Sequence, residues 1–158
     1  MSRIILCGPS CGGKTFISEK LQNAGYKLEV SYTSRPIRKG EKHHKDYIFL
    51  SKDEFKCMIE DGEFFEWVEY NGNYYGTGKK QFKKSDIFVW ETDGIEHLSP
   101  KERKESTIIY VNTPVKIRMN RMYKRGWKSE EIHKRIKTDI EKFKNFKNFD
   151  IEIQSFNE

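Results

Sequence analysis

Eight consecutive residues, Gly8-Pro9-Ser10-Cys11-Gly12-Gly13-Lys14-Thr15, satisfy the pattern GxxxxGK[ST]. Such a loop turns its backbone N–H groups, with the first turn of the helix that follows, onto the phosphates of a nucleotide. In that chemistry Gly8, Ser10, Cys11, Gly12 and Gly13 line the phosphates, and Lys14 reaches the β- and γ-phosphates. The Thr15 hydroxyl then becomes a ligand for Mg2+. A plain glycine turn is the competing reading. At average usage, however, the four fixed positions arise by chance in well under roughly one chain in a hundred.

Other reactive residue types say less by themselves. Arg35 and Arg38 share a strongly basic loop, SRPIRKGEKHHKD. Two planar guanidinium forks suit a phosphate bidentately, yet Arg-x-x-Arg alone reads as a solvated surface. Glu66 lies in the alternating EWVE, where an outward strand residue is the plain reading, and Glu91 and Asp93 pass for ordinary strand-end acids. Arg118, Arg121, Arg125 and Arg135 fall in RMNRMYKRGWKSEEIHKR, by pattern an amphipathic basic helix. Cys7 and Cys11 with His43 and His44 could be drawn as a zinc set, but Cys7 belongs to an apolar strand pattern, so no zinc site is expected.

The phosphate loop requires a strand before it and a helix after it. RIILC at 3–7 is a short apolar run closed by Gly8 and Pro9, and reads as a buried strand. In TFISEKLQNAG, Phe16, Ile17 and Leu21 recur at helical spacing, and Gly25 closes the helix. KLEVS at 27–31 and YIFL at 47–50 are strand candidates, while Ser51 and Glu54 form a capping box that predicts a helix through Glu60. Asn71-Gly72 inside FFEWVEYNGNYY predicts a hairpin over 64–75. IFVW at 87–90, TIIYV at 107–111 and DIEI read as further strands, with helices predicted over 114–124 and 129–147. Strands alternating with helices imply an α/β fold on a parallel sheet, and the hairpin-rich stretch 31–75 looks like a lobe inserted into it.

A length of 158 residues suits one domain and leaves little room for a second. Lys and Arg number 30 against 24 Asp and Glu, a net charge of +6 that favours anionic partners: nucleotides, nucleic acid or an acidic membrane. No apolar run approaches the roughly 20 residues of a membrane span, and MSRIILCGPS is too short and too soon broken for a signal peptide. Three cysteines without CxxC spacing suit a reducing compartment. A cytoplasmic protein is expected.

Three segments in order, GPSxxGKT at the start, SYTSRPIRKGEKHHKDYIF at 31–49 and GEFFEWVEYNGNYYGT at 62–77, together resemble guanylate kinase over nearly the whole chain. The resemblance implies a three-layer α/β phosphate-loop fold with a parallel central sheet. A single domain would comprise a core at about 1–30 and 86–158, an inserted mixed or antiparallel GMP-binding lobe at about 31–80, and a short helical lid at about 121–135. It implies ATP as co-substrate, Mg2+ as cofactor, and in-line phosphorylation of GMP, and of dGMP, to the diphosphate. Arg35 and Arg38 would clamp the GMP phosphate, helped by the Tyr47 and Tyr75 hydroxyls. Guanine offers N1–H and N2–H2 as donors and O6 as an acceptor, so a selective pocket needs a carboxylate opposite the donors and hydroxyls near O6. Glu66 and Asp93 match the family's carboxylates, and Ser31 and Thr77 its hydroxyls. Arg121, Arg125 and Arg135 match its arginines on the transferring phosphates, with Lys14 as the fourth catalytic cation.

The chain also departs from the family pattern. Cys11 stands where glycine is usual, and a positive φ there would cost about 1–2 kcal/mol unless Gly12 absorbs the strain. Cys11 is expected to react with iodoacetamide unless ATP is bound. Gly94 follows Asp93 without a spacer, the Arg125 to Arg135 interval is one residue short, and nothing after DIEI matches the family's final helix. Two other classes compete: a catalytically inactive guanylate kinase-like module that binds phosphorylated proteins, and a nucleic-acid binder. The first would have eroded Lys14, Thr15 and the GMP clamp, and two bound nucleotides already account for the basic charge. No nucleic-acid or membrane partner is expected, and monomer and dimer stay open.

Overall fold

The computed structural model describes Ser2–Phe156. The chain runs β1 (Arg3–Cys7), α1 (Lys14–Asn23), β2 (Tyr32–Thr33), β3 (Ile48–Phe49), α2 (Lys52–Glu60), β4 (Phe64–Tyr70), β5 (Asn73–Gly78) and α3 (Lys79–Lys84). It continues through β6 (Ile87–Val89), α4 (Thr92–Glu96), α5 (Pro100–Lys104), β7 (Ser106–Val111), α6 (Val115–Lys124), α7 (Ser129–Phe143) and β8 (Ile151–Ile153). Two compact units result, one from residues up to Tyr26 together with those from Asp86 on, the other spanning Lys27–Ser85.

In the first unit, strands of order β6-β1-β7-β8 pair in parallel throughout. Apolar runs such as RIILC mark strands covered on both faces, and Ile5, Leu6, Ile87, Phe88, Ile108 and Val111 are fully buried. This sheet places the phosphate loop at the C-terminal end of β1, leading straight into α1. Cys7, in the same strand, is fully buried, and that burial pushes its thiol up to about 12.

The second unit is a mixed sheet of order β3-β2-β5-β4, with β2 and β3 parallel and the other pairs antiparallel. Asn71 (φ 49°) and Gly72 (φ 75°) both take left-handed backbone, so the expected hairpin forms around the Asn-Gly pair. The capping box of α2 is present, Glu54 N donating to Ser51 Oγ at 3.0 Å. Phe55 of α2 stacks on Phe64 and Tyr74, with ring centroids 4.4 and 5.2 Å away. These stacks seat the helix on the hairpin.

Three elements differ from the pattern reading. Residues 27–31 form no strand beyond a single bridge at Leu28; the continuous ladder begins at Tyr32, where Ile48 lies on one side and Gly76 on the other. Alternation in KLEVS is therefore not enough, because a strand needs a run of consecutive backbone pairs as well as a pattern. The strand expected at 47–50 is limited to Ile48–Phe49, with Tyr47 in a separate bridge to His43. Helix α7 stops at Phe143 rather than 147, and Phe143, Phe146 and Phe149 instead gather around the Tyr110 ring at 5.6, 5.3 and 5.1 Å. Helices α3, α4 and α5, of five or six residues, are too short to show a period. No helix among the described residues is long and apolar enough to cross a membrane.

Candidate active site

The backbone at residues 8–13 is shaped by close approaches that only glycine permits. A Cβ on Gly8 (φ +154°) would collide with the Val111 carbonyl, and one on Gly13 (φ +100°) would meet Ser155 Oγ at 2.5 Å. Gly13 is also the N-cap of α1 and supplies no side chain to cap it. The first-turn N–H groups therefore have no capping side chain and border a cavity of about 240 Å³ lined by residues 11–16, Glu19, Arg121 and Arg125. An uncapped helix start beside cationic side chains has the electrostatics that suit an anion. The Lys14 ammonium donates to the carbonyls of Gly8 and Pro9, and burial lowers its pKa.

Three arginines from the C-terminal half converge on the loop. Arg121, only 4% exposed, donates from Nη1 to Cys11 O at 3.0 Å and from Nη2 to Ser155 O at 2.6 Å. Arg125 Nη1 lies 3.3 Å from Cys11 Sγ, and Arg135 Nε donates to Ser10 Oγ at 2.5 Å. Cys11 itself carries φ 57°, and Gly12 is not left-handed, so the strain of a non-glycine residue falls on Cys11.

The loop is also held by residues that the sequence reading did not single out. Asp139, 2% exposed, accepts from Ser10 N at 3.0 Å and lies 3.5 Å from Nη1 of Arg118, itself 3% exposed. Arg118 thereby gains a structural role: its Nε donates to Thr113 O at 3.0 Å. Thr113 Oγ1 donates to Gly12 O at 2.7 Å and accepts from Ser155 N at 3.0 Å. In sequence, Asp139 shows only as the i+4 neighbour of Arg135, an ordinary surface pairing. Asp93 is exposed in the first turn of α4, and Glu91 pairs with Lys142 at 2.7 Å.

In the second unit, Arg35 is buried and forked onto both oxygens of Glu41 at 2.8 and 2.9 Å. Its guanidinium also lies 5.4 Å from the centroid of the Tyr47 ring, which in turn meets Tyr75 edge-on at 6.1 Å. Hydrogen bonding to Arg35 holds Glu41 down at about 2. Arg38 is exposed on the same loop, its backbone N–H bonded to Glu41. Nearby, Thr77 Oγ1 donates to Glu66 Oε1 at 3.1 Å, and Ser31 Oγ donates to Glu29. The structure thus brings Arg35, Tyr47 and Tyr75 together, and likewise Ser31 and Thr77 with acids. Asp93 belongs to the other unit.

A phosphate loop on a parallel sheet, ringed by arginines, defines a nucleotide-binding α/β protein. The family model of guanylate kinase matches residues 1–157, and the chain belongs to the guanylate kinase family. It is 39% identical over 147 residues to the guanylate kinase of Caldanaerobacter subterraneus subsp. tengcongensis, covering 87% of this chain and 71% of that one. The guanylate kinase of Rubrobacter xylanophilus is 34% identical over 160 residues, 95% of this chain and 83% of its own. For that of Maricaulis maris the figures are 37% over 140 residues, 83% and 64%, so the chain spans just under two thirds of that relative's length. The fold is similar to the crystal structure of guanylate kinase from Anaplasma phagocytophilum, with a TM-score of 0.72 at 24% identity over 99% of this chain and 77% of that one.

Proposed function

We propose that the protein transfers the γ-phosphoryl group of ATP to GMP, and to dGMP, yielding ADP and the diphosphate, and that it does so in the cytoplasm. The convergence of Arg121, Arg125 and Arg135 on residues 10–11 carries this reading, because phosphoryl transfer is catalysed chiefly by cations set around the moving group. Lys14 exchanges its contacts with the Gly8 and Pro9 carbonyls for the β- and γ-phosphates, and the N–H groups of residues 11–15 cradle them. Arg125 and Arg135 steady the transferring oxygens, while Arg121 holds the loop through Cys11 O.

Thr15, exposed in the first turn of α1 and lining the cavity, suits a Mg2+ ligand. When bound, that ion neutralises charge on the ATP phosphates. Arg35 and Arg38, with the Tyr47 and Tyr75 hydroxyls, hold the acceptor phosphate of GMP. Glu66 accepts from N1–H and N2–H2 of guanine, Asp93 adds a second carboxylate, and Ser31 and Thr77 serve O6, Thr77 turning its proton from Glu66 to O6 as the guanine donors take its place on that carboxylate. Adenine lacks that donor pair and leaves the carboxylates unpaired. No side chain need act as base.

A coupled assay of ADP release with ATP and each of GMP, dGMP, AMP, CMP and UMP tests the reading. GMP and dGMP should be turned over and the others should not. Absence of turnover with GMP, or equal rates for AMP, would overturn it.

A further inference from the structure

Both hydroxyls that the guanine reading assigns to the pocket give their protons to carboxylates. Thr77 Oγ1 donates to Glu66, the acid needed opposite the donor edge of guanine. Ser31 Oγ lies 3.0 and 2.8 Å from the two oxygens of a different acid, Glu29, for which that reading has no role. Glu29 is 8% exposed, and no basic side chain pairs with it among the described residues. Burial, and then the charge of Glu66, hold its carboxyl up at about 7 despite the Ser31 bond, which acts the other way. The ionisable groups that bear on this carboxyl are Glu66 from β4 and Tyr47, which immediately precedes β3.

A hydroxyl has one proton to give. While Glu29 is ionised it takes the Ser31 hydrogen bond, and Ser31 Oγ presents only lone pairs to a ligand; it cannot donate to O6. Once Glu29 carries a proton from solvent, its own O–H donates to Ser31 Oγ, and the Ser31 proton turns to O6. No covalent bond to substrate forms or breaks. We propose that Glu29 is a positioning residue that sets whether Ser31 donates or accepts, so that the pocket takes up a proton when it binds guanine. This rests on the GMP reading above and adds the protonation state of its base pocket.

The test compares the wild type with Glu29→Gln, whose amide donates to Ser31 permanently, as the protonated acid does. The ratio of the wild-type KM for GMP to that of the variant should be flat below about pH 6. It should rise above about 7, approaching tenfold per pH unit, with the change in KM for GMP rather than in kcat or in KM for ATP. The second ionisation of the GMP phosphate, near pH 6, is common to both proteins and cancels in the ratio. A ratio independent of pH overturns the proposal. A second measurement needs no variant: calorimetric titration of the wild type with GMP at pH 8, in buffers of different ionisation enthalpy, should show uptake of close to one proton per GMP. No uptake, or release, overturns it. If GMP neither binds nor turns over, the functional reading falls and this one with it; turnover without proton uptake sinks the role of Glu29 alone.

Discussion

The two units of the chain hold their functional groups in opposite ways. In the unit carrying the phosphate loop, two of the four cations at the loop rest on backbone carbonyls, Lys14 on Gly8 and Pro9 and Arg121 on Cys11 and Ser155, while Arg125 and Arg135 meet the side chains of Cys11 and Ser10. Backbone oxygens are neutral partners, readily exchanged for phosphate oxygens that bring full charge. In the unit spanning Lys27–Ser85, side chains are paired with side chains: Arg35 with Glu41, Ser31 with Glu29, Thr77 with Glu66. A ligand there must compete with bonds already made, and protonation state becomes part of recognition. The proposed function asks one unit to exchange carbonyls for an anion and the other to discriminate among donors and acceptors.

The largest expected effect lies behind the phosphate loop. Asp139→Ala leaves Arg118 buried without its carboxylate and frees Ser10 N, so denaturant unfolding should show a loss of about 3–5 kcal/mol. An unchanged midpoint would mean that the pair does not hold the loop. Next, Lys14→Ala should lower kcat by about 100- to 1000-fold, the usual loss for a cation or donor aimed at developing charge, while GMP binding by calorimetry stays intact. Loss of GMP binding as well would blur the contrast between the units.

Glu29→Gln should change stability in a pH-dependent way. The carboxyl of Glu29 ionises at about 7 when folded against an ordinary value of 4.5, so between those limits the folded state binds more protons than the unfolded. Wild-type stability should fall by about 3 kcal/mol as pH rises through that window, and the variant should escape the loss. Parallel unfolding curves for both proteins at pH 5 and pH 8 would contradict it. Arg38→Ala should raise KM for GMP about 10- to 100-fold with little change in kcat, since one charge-assisted phosphate contact is removed. Smallest of all, Cys11→Gly should relieve the left-handed strain at φ 57° and raise stability by about 1 kcal/mol, read as a higher Tm. In the wild type, ATP should slow alkylation of Cys11 by iodoacetamide.

Legibility followed distance along the chain. GxxxxGK[ST], the Ser51–Glu54 box and Asn71-Gly72 each complete their physics within eight residues, and each appears where the pattern put it. The Ser99–Glu102 box with Pro100 was an equally local signal for α5, present in the sequence and overlooked. Asp139, Thr113 and Ser155 were not legible, because their partners at 10, 12 and 121 lie 34 to 129 residues away. Glu29 was hidden differently: KLEVS alternates like a strand, and only the tertiary structure shows that the segment turns an acid inward onto Ser31.

By itself the sequence determined the phosphate loop, the parallel core strands and the hairpin, since sterics, hydrogen bonding and apolar periodicity within one turn or one strand suffice for these. Tertiary structure alone decided which carboxylates are buried, which arginine steadies the loop from behind, and which hydroxyl proton is already spoken for. Burial and pairing depend on what the rest of the chain places alongside, and the cost of an unpaired charge is set by that surrounding medium.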